Sequence, residues 1–186
     1  MTAAMIPITT ELAGIAARVR AATVQVQGRR RGTWGSGVLW RPGVVVTNAH
    51  VVTGRSARVE TADGTVHDAR LLATDEGQDL ALLAVSTELP PPALARDEPR
   101  VGALVVAVGN PLGLSGAVTA GIVHGRLTPR RGPPIILADL QLLPGNSGGP
   151  LADVLGRVVG VNTMMVRGLA AAIPCEVVER FVERAA

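Results

Sequence analysis

Residues 145–150 read Gly145-Asn146-Ser147-Gly148-Gly149-Pro150, and this stretch does most to decide the fold of the 186-residue chain. Its glycines let the backbone bend sharply and let a second molecule approach the serine closely. If the amides of Gly145 and Ser147 converge, they form an oxyanion hole for the charge that develops when Ser147 attacks a carbonyl. Taken alone, the stretch is also compatible with a plain glycine-rich hairpin, so its interpretation depends on partners elsewhere in the chain.

A serine hydroxyl needs a base within hydrogen-bond reach, and an imidazole is the usual choice. Of the three histidines, His50 is the best placed, because it follows the apolar run 44–46 and can project from a strand end into a cleft. The imidazole in turn needs a buried carboxylate, and Asp79 opens an apolar run in which a charge requires a partner. Each residue has an ordinary alternative, a strand-end histidine or a turn-capping aspartate. Their combination predicts a triad of His50, Asp79 and Ser147.

The order of these residues along the chain separates the possible folds. Nucleophile-elbow hydrolases run serine, acid, histidine, and subtilisin-like enzymes run aspartate, histidine, serine. The order here is histidine, aspartate, serine, which is that of chymotrypsin. Base and acid precede a proline-rich stretch over 88–100 and the nucleophile follows it, so the site is expected between two halves of the chain.

Short β-branched runs predict an all-β fold with six strands on each side of that connector. We expect them at 23–27, 37–40, 44–47, 57–61, 65–72 and 80–85, and then at 103–108, 117–123, 135–140, 150–152, 158–162 and 169–173. Strands without intervening helices favour antiparallel barrels or a sandwich, and periodicity alone does not choose between them. Helical spacing predicts a leading helix over 8–20 and a final helix over 176–184.

Composition narrows the function classes. No apolar run approaches the ~18 residues that cross a bilayer. Residues 1–20 lack the pattern of a secretory signal, so either the protein stays in the cytoplasm, which is slightly favoured, or a leader has been removed. Cys175 is the only cysteine, so no intramolecular disulfide is expected. A single Phe and no Tyr argue against a nucleic-acid stacking surface.

The charges and the remaining histidines add two expectations. The net charge of +3 comes from arginine alone, with clusters at 29–31 and 130–131 that we interpret as solvated loops, or else as contacts for an acidic partner. His67 and His124 have no partners at metal-ligand spacing, so neither a metal nor a cofactor is predicted.

Eight separated motifs lie between about Gly35 and Phe181. They are Gly35-Ser36-Gly37-Val38, Thr47-Asn48-Ala49-His50-Val51-Val52, Asp79-Leu80-Ala81-Leu82-Leu83, Val108-Gly109-Asn110-Pro111-Leu112-Gly113-Leu114, Val118-Thr119-Ala120-Gly121-Ile122-Val123, Pro144 to Leu151, Gly160-Val161-Asn162-Thr163 and Ala172-Ile173-Pro174. Together they resemble the protease domain of the HtrA/DegP family. The resemblance implies two six-stranded antiparallel β-barrels of the chymotrypsin type and ATP-independent cleavage of unfolded or damaged proteins.

The resemblance also implies how the chain is divided into barrels and raises the question of further domains and of trimer formation. Residues 1–186 would form one trypsin-like unit, with an amino-terminal barrel over about 21–87, the connector over 88–100 and a carboxy-terminal barrel over about 101–175. Relatives commonly carry PDZ domains, and the chain ends too soon after Pro174 for one. Family trimers often use aromatic residues near the amino terminus, and none precedes Trp34, so a homotrimer stays an open expectation.

The primary specificity pocket of this fold is walled by residues that are all uncharged here. Gln141 lies six positions before Ser147, where trypsin-like enzymes carry an aspartate. We therefore expect cleavage after small or medium aliphatic residues rather than after Arg or Lys. The predicted wall residues are Gln141, Leu142, Leu143, Val161, Asn162, Thr163 and Ala170.

Two other functions remain compatible with the sequence. A catalytically silent or latent module that binds peptides like a chaperone would keep the same residues, because a collapsed oxyanion loop leaves no mark in a sequence. An esterase would use the same acyl chemistry on the same site.

Overall fold

The computed structural model describes residues 8–29, 32–130 and 132–185. Within them the first half contains α1 (Ile8–Ala21), β1 (Thr23–Gly28), β2 (Trp34–Arg41), β3 (Val44–Thr47), β4 (Ser56–Glu60), β5 (Val66–Asp75) and β6 (Leu80–Val85). The second half contains β7 (Leu104–Gly109), β8 (Ala117–Leu127), β9 (Ile135–Asp139), β10 (Pro150–Asp153), β11 (Val158–Val166), β12 (Leu169–Pro174) and α2 (Cys175–Ala185). Single turns of 3₁₀ helix occupy Ala49–Val51 and Pro111–Gly113.

The twelve strands of the described residues form two closed antiparallel barrels. The first has the order β1-β2-β3-β6-β5-β4, and the second has the order β10-β11-β12-β9-β8-β7. Closure pairs both sides of a sheet and leaves few exposed edges. The predicted fold class, two six-stranded antiparallel barrels with a helix at each end, is confirmed.

Each barrel has its own apolar interior, because alternate residues of every strand point inward. Val26, Leu39 and Leu83 are among the side chains that fill the first barrel. The second is filled by smaller residues such as Ala107 and Ala138 around Ile136. Burying a Val, Leu or Ile side chain contributes about 1.5–3 kcal/mol, so these interiors are the main source of stability.

A third apolar cluster joins the barrels and fixes the cleft between them. Leu80 on the first barrel and Val161 on the second pack together with Val178 and Phe181 of α2. α1 belongs to a separate apolar cluster, in which Val19 packs with residues of β7 and β10. Each terminal helix therefore contacts the barrel that is distant from it in sequence.

The proline-rich connector is fixed to the second barrel rather than lying free on the surface. Leu94 forms a parallel bridge with Val158. The amide of Ala95 donates to the Val158 carbonyl at 2.8 Å, and the Val158 amide donates to the Ala93 carbonyl at 2.8 Å. This pairing fixes the link between the two barrels.

Two smaller observations complete the fold. Among the described residues, α1 with 14 residues and α2 with 11 are both shorter than the ~20 apolar residues a membrane span requires. Arg30, Arg31 and Arg131, on which the predicted arginine loops partly rest, lie outside the described residues.

Candidate active site

Strand pairing in the first barrel brings the predicted base and acid together. β3 and β6 are neighbours, with Thr47 opposite Ala81. His50 lies in the 3₁₀ turn that follows β3, and Asp79 lies immediately before β6. Asp79 has a φ of +54°, a left-handed conformation that Asp adopts more readily than most residues. The Asn48 side-chain amide donates to the Asp79 carbonyl at 2.9 Å, which holds this backbone in place.

The His50 ring and the Asp79 carboxylate are in direct contact. Nδ1 of His50 lies 2.9 Å from Oδ1 and 3.0 Å from Oδ2 of Asp79, and the His50 amide donates to Oδ1 at 3.2 Å. Because an ionised carboxylate only accepts hydrogen bonds, Nδ1 must carry the proton. The neutral ring therefore has its lone pair on Nε2, the atom that a general base requires.

Burial of Asp79 pushes the pKa of its carboxyl group up, but hydrogen bonds from His50 and Thr163 oppose it. These bonds and the nearby imidazole outweigh the burial, and the net pKa of Asp79 lies below its ordinary value. Asp79 is therefore an anion at neutral pH, suited to stabilising an imidazolium on His50.

Thr163 joins the two halves of the site across the cleft. This residue lies on β11, and its hydroxyl donates to Oδ2 of Asp79 at 2.6 Å. Its carbonyl accepts a hydrogen bond of 2.8 Å from the Ser147 hydroxyl. Among the described residues, the hydrogen bond of the Ser147 side chain goes to this carbonyl and not to His50.

Ser147 lies in a turn that only glycine can form at two of its positions. Gly145 has a φ of +104°, and a Cβ there would lie 2.6 Å from the Asn110 carbonyl oxygen. Gly148 has a φ of +86°, and a Cβ there would lie 2.1 Å from the Ser36 carbonyl oxygen. Both the backbone conformation and the close approach of neighbouring backbone therefore require glycine.

The amides of this turn divide into two groups. Those of Asn146, Gly148 and Gly149 donate to backbone carbonyls of Leu143, Asn162 and Asn146. The amides of Gly145 and Ser147 donate to no acceptor among the described residues. Gly145 is buried and Ser147 half-buried, and two unpaired backbone donors at the nucleophile match the donors of an oxyanion hole.

Ser36 holds this turn against the first barrel. Its amide donates to the Ser147 carbonyl at 2.8 Å, and its hydroxyl donates to the Gly145 carbonyl at 2.7 Å. The hydroxyl also accepts from the backbone amide of Asn110 at 2.8 Å and from its side-chain amide at 3.2 Å. Ser36 and Asn110 are 0% and 3% exposed, so these bonds are shielded from water. One buried hydroxyl thus connects the first barrel, the turn and the start of the Pro111–Gly113 segment.

The predicted pocket residues separate into two groups in the structure. Leu142 and Ala170 pack in the same cluster beneath the turn, and Gln141 and Leu143 are exposed beside them. Val161 instead packs in the cluster between the barrels. Asn162 is buried, and its side-chain amide donates to the Pro150 carbonyl at 2.9 Å. The side chains of Val161 and Asn162 therefore pack between the barrels and fix the turn, and the assignment of their strand to the pocket wall stays a prediction.

Several contributors to the site are not assigned their roles by the sequence. Asn48, Ser36 and Asn110 occur there only as members of motifs, and Thr163 is predicted to line the pocket rather than to contact Asp79. The only signal in the sequence for these roles is the motif in which each residue lies. Asn48 lies in the motif that contains His50, Ser36 lies between Gly35 and Gly37, and Asn110 lies in the Gly-Asn-Pro stretch. Hydrogen bonds between residues as distant as Ser36 and Gly145 cannot be found from spacing along the chain.

Two closed barrels with a histidine, an aspartate and a serine at their cleft define the class of the trypsin-like serine peptidases. Comparison with known proteins agrees: residues 35–161 match the family model of the trypsin-like peptidase domain. The chain belongs to this family.

Individual similar proteins narrow the assignment within the trypsin-like peptidases. It is 38% identical over 168 residues to the putative serine protease HhoB of Synechocystis, covering 83% of this chain and 40% of that protein. It is 39% identical over 164 residues to serine protease HTRA1 of Xenopus laevis, covering 80% of this chain and 35% of that protein. The crystal structure of the serine endoprotease from Yersinia pestis superposes with a TM-score of 0.83 at 32% identity, covering 92% of this chain and 65% of that one.

These similarities confirm the resemblance to the HtrA/DegP protease domain. The chain spans about two fifths of the length of the curated relatives it matches.

Proposed function

We propose that the chain is a serine endopeptidase that cleaves unfolded or damaged proteins through an acyl-enzyme on Ser147. The observation that carries this proposal is the contact of His50 Nδ1 with the Asp79 carboxylate, which leaves Nε2 of His50 free to act as the base. The names of the similar proteins support the same class of reaction: the bacterial relative is named a putative serine protease, the animal relative a serine protease and the plant relative a protease.

The proposed steps follow from the positions of the polar groups. The Ser147 hydroxyl leaves the Thr163 carbonyl, turns to Nε2 of His50 and attacks the scissile carbonyl while His50 takes its proton. The amides of Gly145 and Ser147 bind the resulting oxyanion, and Asp79 stabilises the imidazolium. His50 then gives the proton to the leaving amine, and water hydrolyses the acyl-enzyme by the same route in reverse. The reaction needs no cofactor.

The uncharged surroundings of the turn support a preference for small or medium aliphatic residues at the cleaved position. Leu142 and Ala170 are apolar, and Gln141 carries no charge that would attract Arg or Lys. Incubation of the protein with a library of unstructured peptides, followed by mass spectrometry, tests this preference. We expect cleavage after Val, Ala, Ile or Leu, absent in Ser147→Ala. Cleavage mainly after basic residues would overturn the predicted preference.

One observation favours a second candidate, a latent or silent peptide-binding module. The Ser147 hydroxyl is bound to the Thr163 carbonyl rather than to His50. In a silent module this arrangement would persist with a peptide bound, and in an active enzyme it would be replaced when a substrate enters. Single-turnover reaction with an activated ester separates them, because only an active enzyme releases a burst of leaving group equal to its own concentration.

A further inference from the structure

A large concave surface of the first barrel lies outside the candidate active site. It has a volume of about 1360 Å³ and is lined by the end of β1, the start of β4 and the second half of β5. Its charged residues are four arginines and a single carboxylate: Arg29, Arg55, Arg58, Arg70 and Asp68. Their net charge of +3 equals that of the whole chain. We call this surface the arginine groove.

The arginines of the groove are accessible to an external partner. All four are exposed, and none takes part in the ion pairs found among the described residues. Arg126, by contrast, contacts both Glu98 and Glu176, at 3.2 and 2.7 Å. Unpaired cations collected in a concavity raise the local concentration of anions.

The groove also contains a free strand edge. β4 pairs with β5 as far as Ser56 opposite Arg70, and the Leu71 amide donates to the Arg55 carbonyl at 3.0 Å. Beyond this point and a bulge at Leu72, residues 73–75 pair with β6 on one side only, and no backbone hydrogen bond covers their other side in the part of the chain described. Leu72, the bulge residue before this edge, is 40% exposed. An uncovered strand edge is a template for another extended chain.

We propose that the arginine groove binds an extended, acidic segment of another polypeptide. The segment adds a strand to the edge at residues 73–75 and directs its carboxylates at the four arginines. An extended chain presents every second side chain to the same face, about 6.6 Å apart, so acidic residues at alternate positions can follow the groove. A nucleic acid or polyphosphate would match the charge but has no backbone amides for the strand edge.

The groove lies next to the cleft along the chain. Arg55 follows His50 after a short loop, and β5 leads into the loop that ends at Asp79. Only short stretches of chain therefore separate the groove from the base and the acid. The proposal concerns binding only and does not depend on whether the site is catalytically active.

Fluorescence anisotropy with Ser147→Ala protein, which keeps any peptide intact, tests this proposal. The probe is a fluorescein-labelled peptide of alternating glutamate and valine, about twelve residues long so that it spans the groove. We expect Arg55→Gln/Arg58→Gln/Arg70→Gln to weaken binding at least about tenfold, because it removes three of the four cations. Arg96→Gln/Arg100→Gln/Arg180→Gln removes the same charge from exposed arginines elsewhere, and we expect a change within about twofold.

A second probe tests the strand edge separately from the charge. The same peptide with alternate backbone amides N-methylated keeps its carboxylates but cannot add to a strand, and we expect it to bind about tenfold more weakly. If both triple variants weakened binding equally, the peptide would be attracted by the overall positive charge rather than by the arginine groove, and the proposal would be overturned. Undiminished binding of the methylated peptide, or equally tight binding of inorganic polyphosphate, would overturn the choice of a polypeptide. Circular dichroism verifies that both triple variants are folded.

Discussion

The two halves of the candidate site are held in place by different means. In the first barrel, His50 and Asp79 meet through side-chain hydrogen bonds at strand ends. In the second barrel, Ser147 is positioned by backbone, in a turn whose glycines approach neighbouring carbonyls too closely for any Cβ. In the first barrel, changing one polar atom should therefore remove activity and leave the protein folded. In the second barrel, adding one carbon to a glycine of the turn should destabilise the fold itself.

The largest expected effect tests the side-chain half. Asp79→Asn preserves shape but removes the charge and lets the wrong tautomer of His50 form, so we expect kcat to fall about 10⁴-fold. The fold should persist, because the change is isosteric. Peptide cleavage together with thermal unfolding measures both effects. Loss of activity that merely follows loss of folded protein would contradict the assignment of Asp79.

Gly148→Ala tests the backbone half. A Cβ at Gly148 would lie 2.1 Å from the Ser36 carbonyl oxygen, so we expect the free energy of unfolding to fall by about 2–4 kcal/mol and activity to be lost. Gly64→Ala is the matched control, because Gly64 has a φ of +84° and a Cβ there would meet no atom within 4 Å. The control should cost only about 1 kcal/mol, which is the strain of the backbone conformation alone. Equal costs for the two variants would show that the close approach is unimportant.

Ser36→Ala tests the hydroxyl that connects the two halves. It leaves the Gly145 carbonyl and the backbone amide of Asn110 unpaired, while the Asn110 side-chain amide keeps its bond to the Val24 carbonyl, so we expect a loss of about 1–3 kcal/mol in unfolding free energy. A displaced turn should also lower kcat by roughly tenfold to a hundredfold with little change in KM. Exposed Ser86→Ala serves as the control and should change stability by less than about 0.5 kcal/mol. Unchanged kcat in folded Ser36→Ala would remove Ser36 from the site.

The smallest expected effect is a pH dependence. The Thr163 hydroxyl helps to hold the pKa of Asp79 below its ordinary value, so Thr163→Val should raise this pKa. A carboxylate with a lowered pKa contributes stability above its unfolded pKa of about 3.9 and loses it as pH falls through the folded pKa. The variant should therefore be less stable than wild type at pH 7, and the deficit should shrink below about pH 4.

Urea unfolding of wild type and Thr163→Val at pH 7 and below about pH 4 measures how the stability deficit changes with pH. Thr163→Ser keeps the hydroxyl and should behave like the wild type. A deficit of Thr163→Val that is the same at both pH values would mean that the hydrogen bond to Asp79 does not affect its ionisation.

The two six-stranded barrels can be predicted from the sequence, but the ends of three of their strands cannot. The predicted ends at Leu72, Val123 and Asn162 all stop early, and β5, β8 and β11 continue beyond them. Each strand has a register shift at that point, between Leu71 and Ala73, Val123 and Gly125, and Asn162 and Met164. A bulge inserts a residue and reverses the alternation, so the period of two is interrupted in the sequence where the strand itself continues.

The candidate site, like the strand ends, could be predicted from the sequence only in part. The identities of His50, Asp79 and Ser147 follow from residue chemistry and from their order along the chain. The bonds of Thr163 and Ser36 do not, because they join residues that are distant in sequence and depend on how the two barrels are packed. Val161 and Asn162 are assigned to the pocket by position alone; their side chains contact the cluster between the barrels and the Pro150 carbonyl, and the assignment stays a prediction.

Reaction with a fluorophosphonate probe, followed by intact mass measurement, tests the central claim most directly. The probe reacts with a serine only if its hydroxyl is activated by a base and the developing charge is stabilised. We expect wild type to gain the mass of one probe, and Ser147→Ala and His50→Ala to gain none. Folded wild type that remains unlabelled, or labelling that persists in Ser147→Ala, would contradict an assembled triad at His50, Asp79 and Ser147.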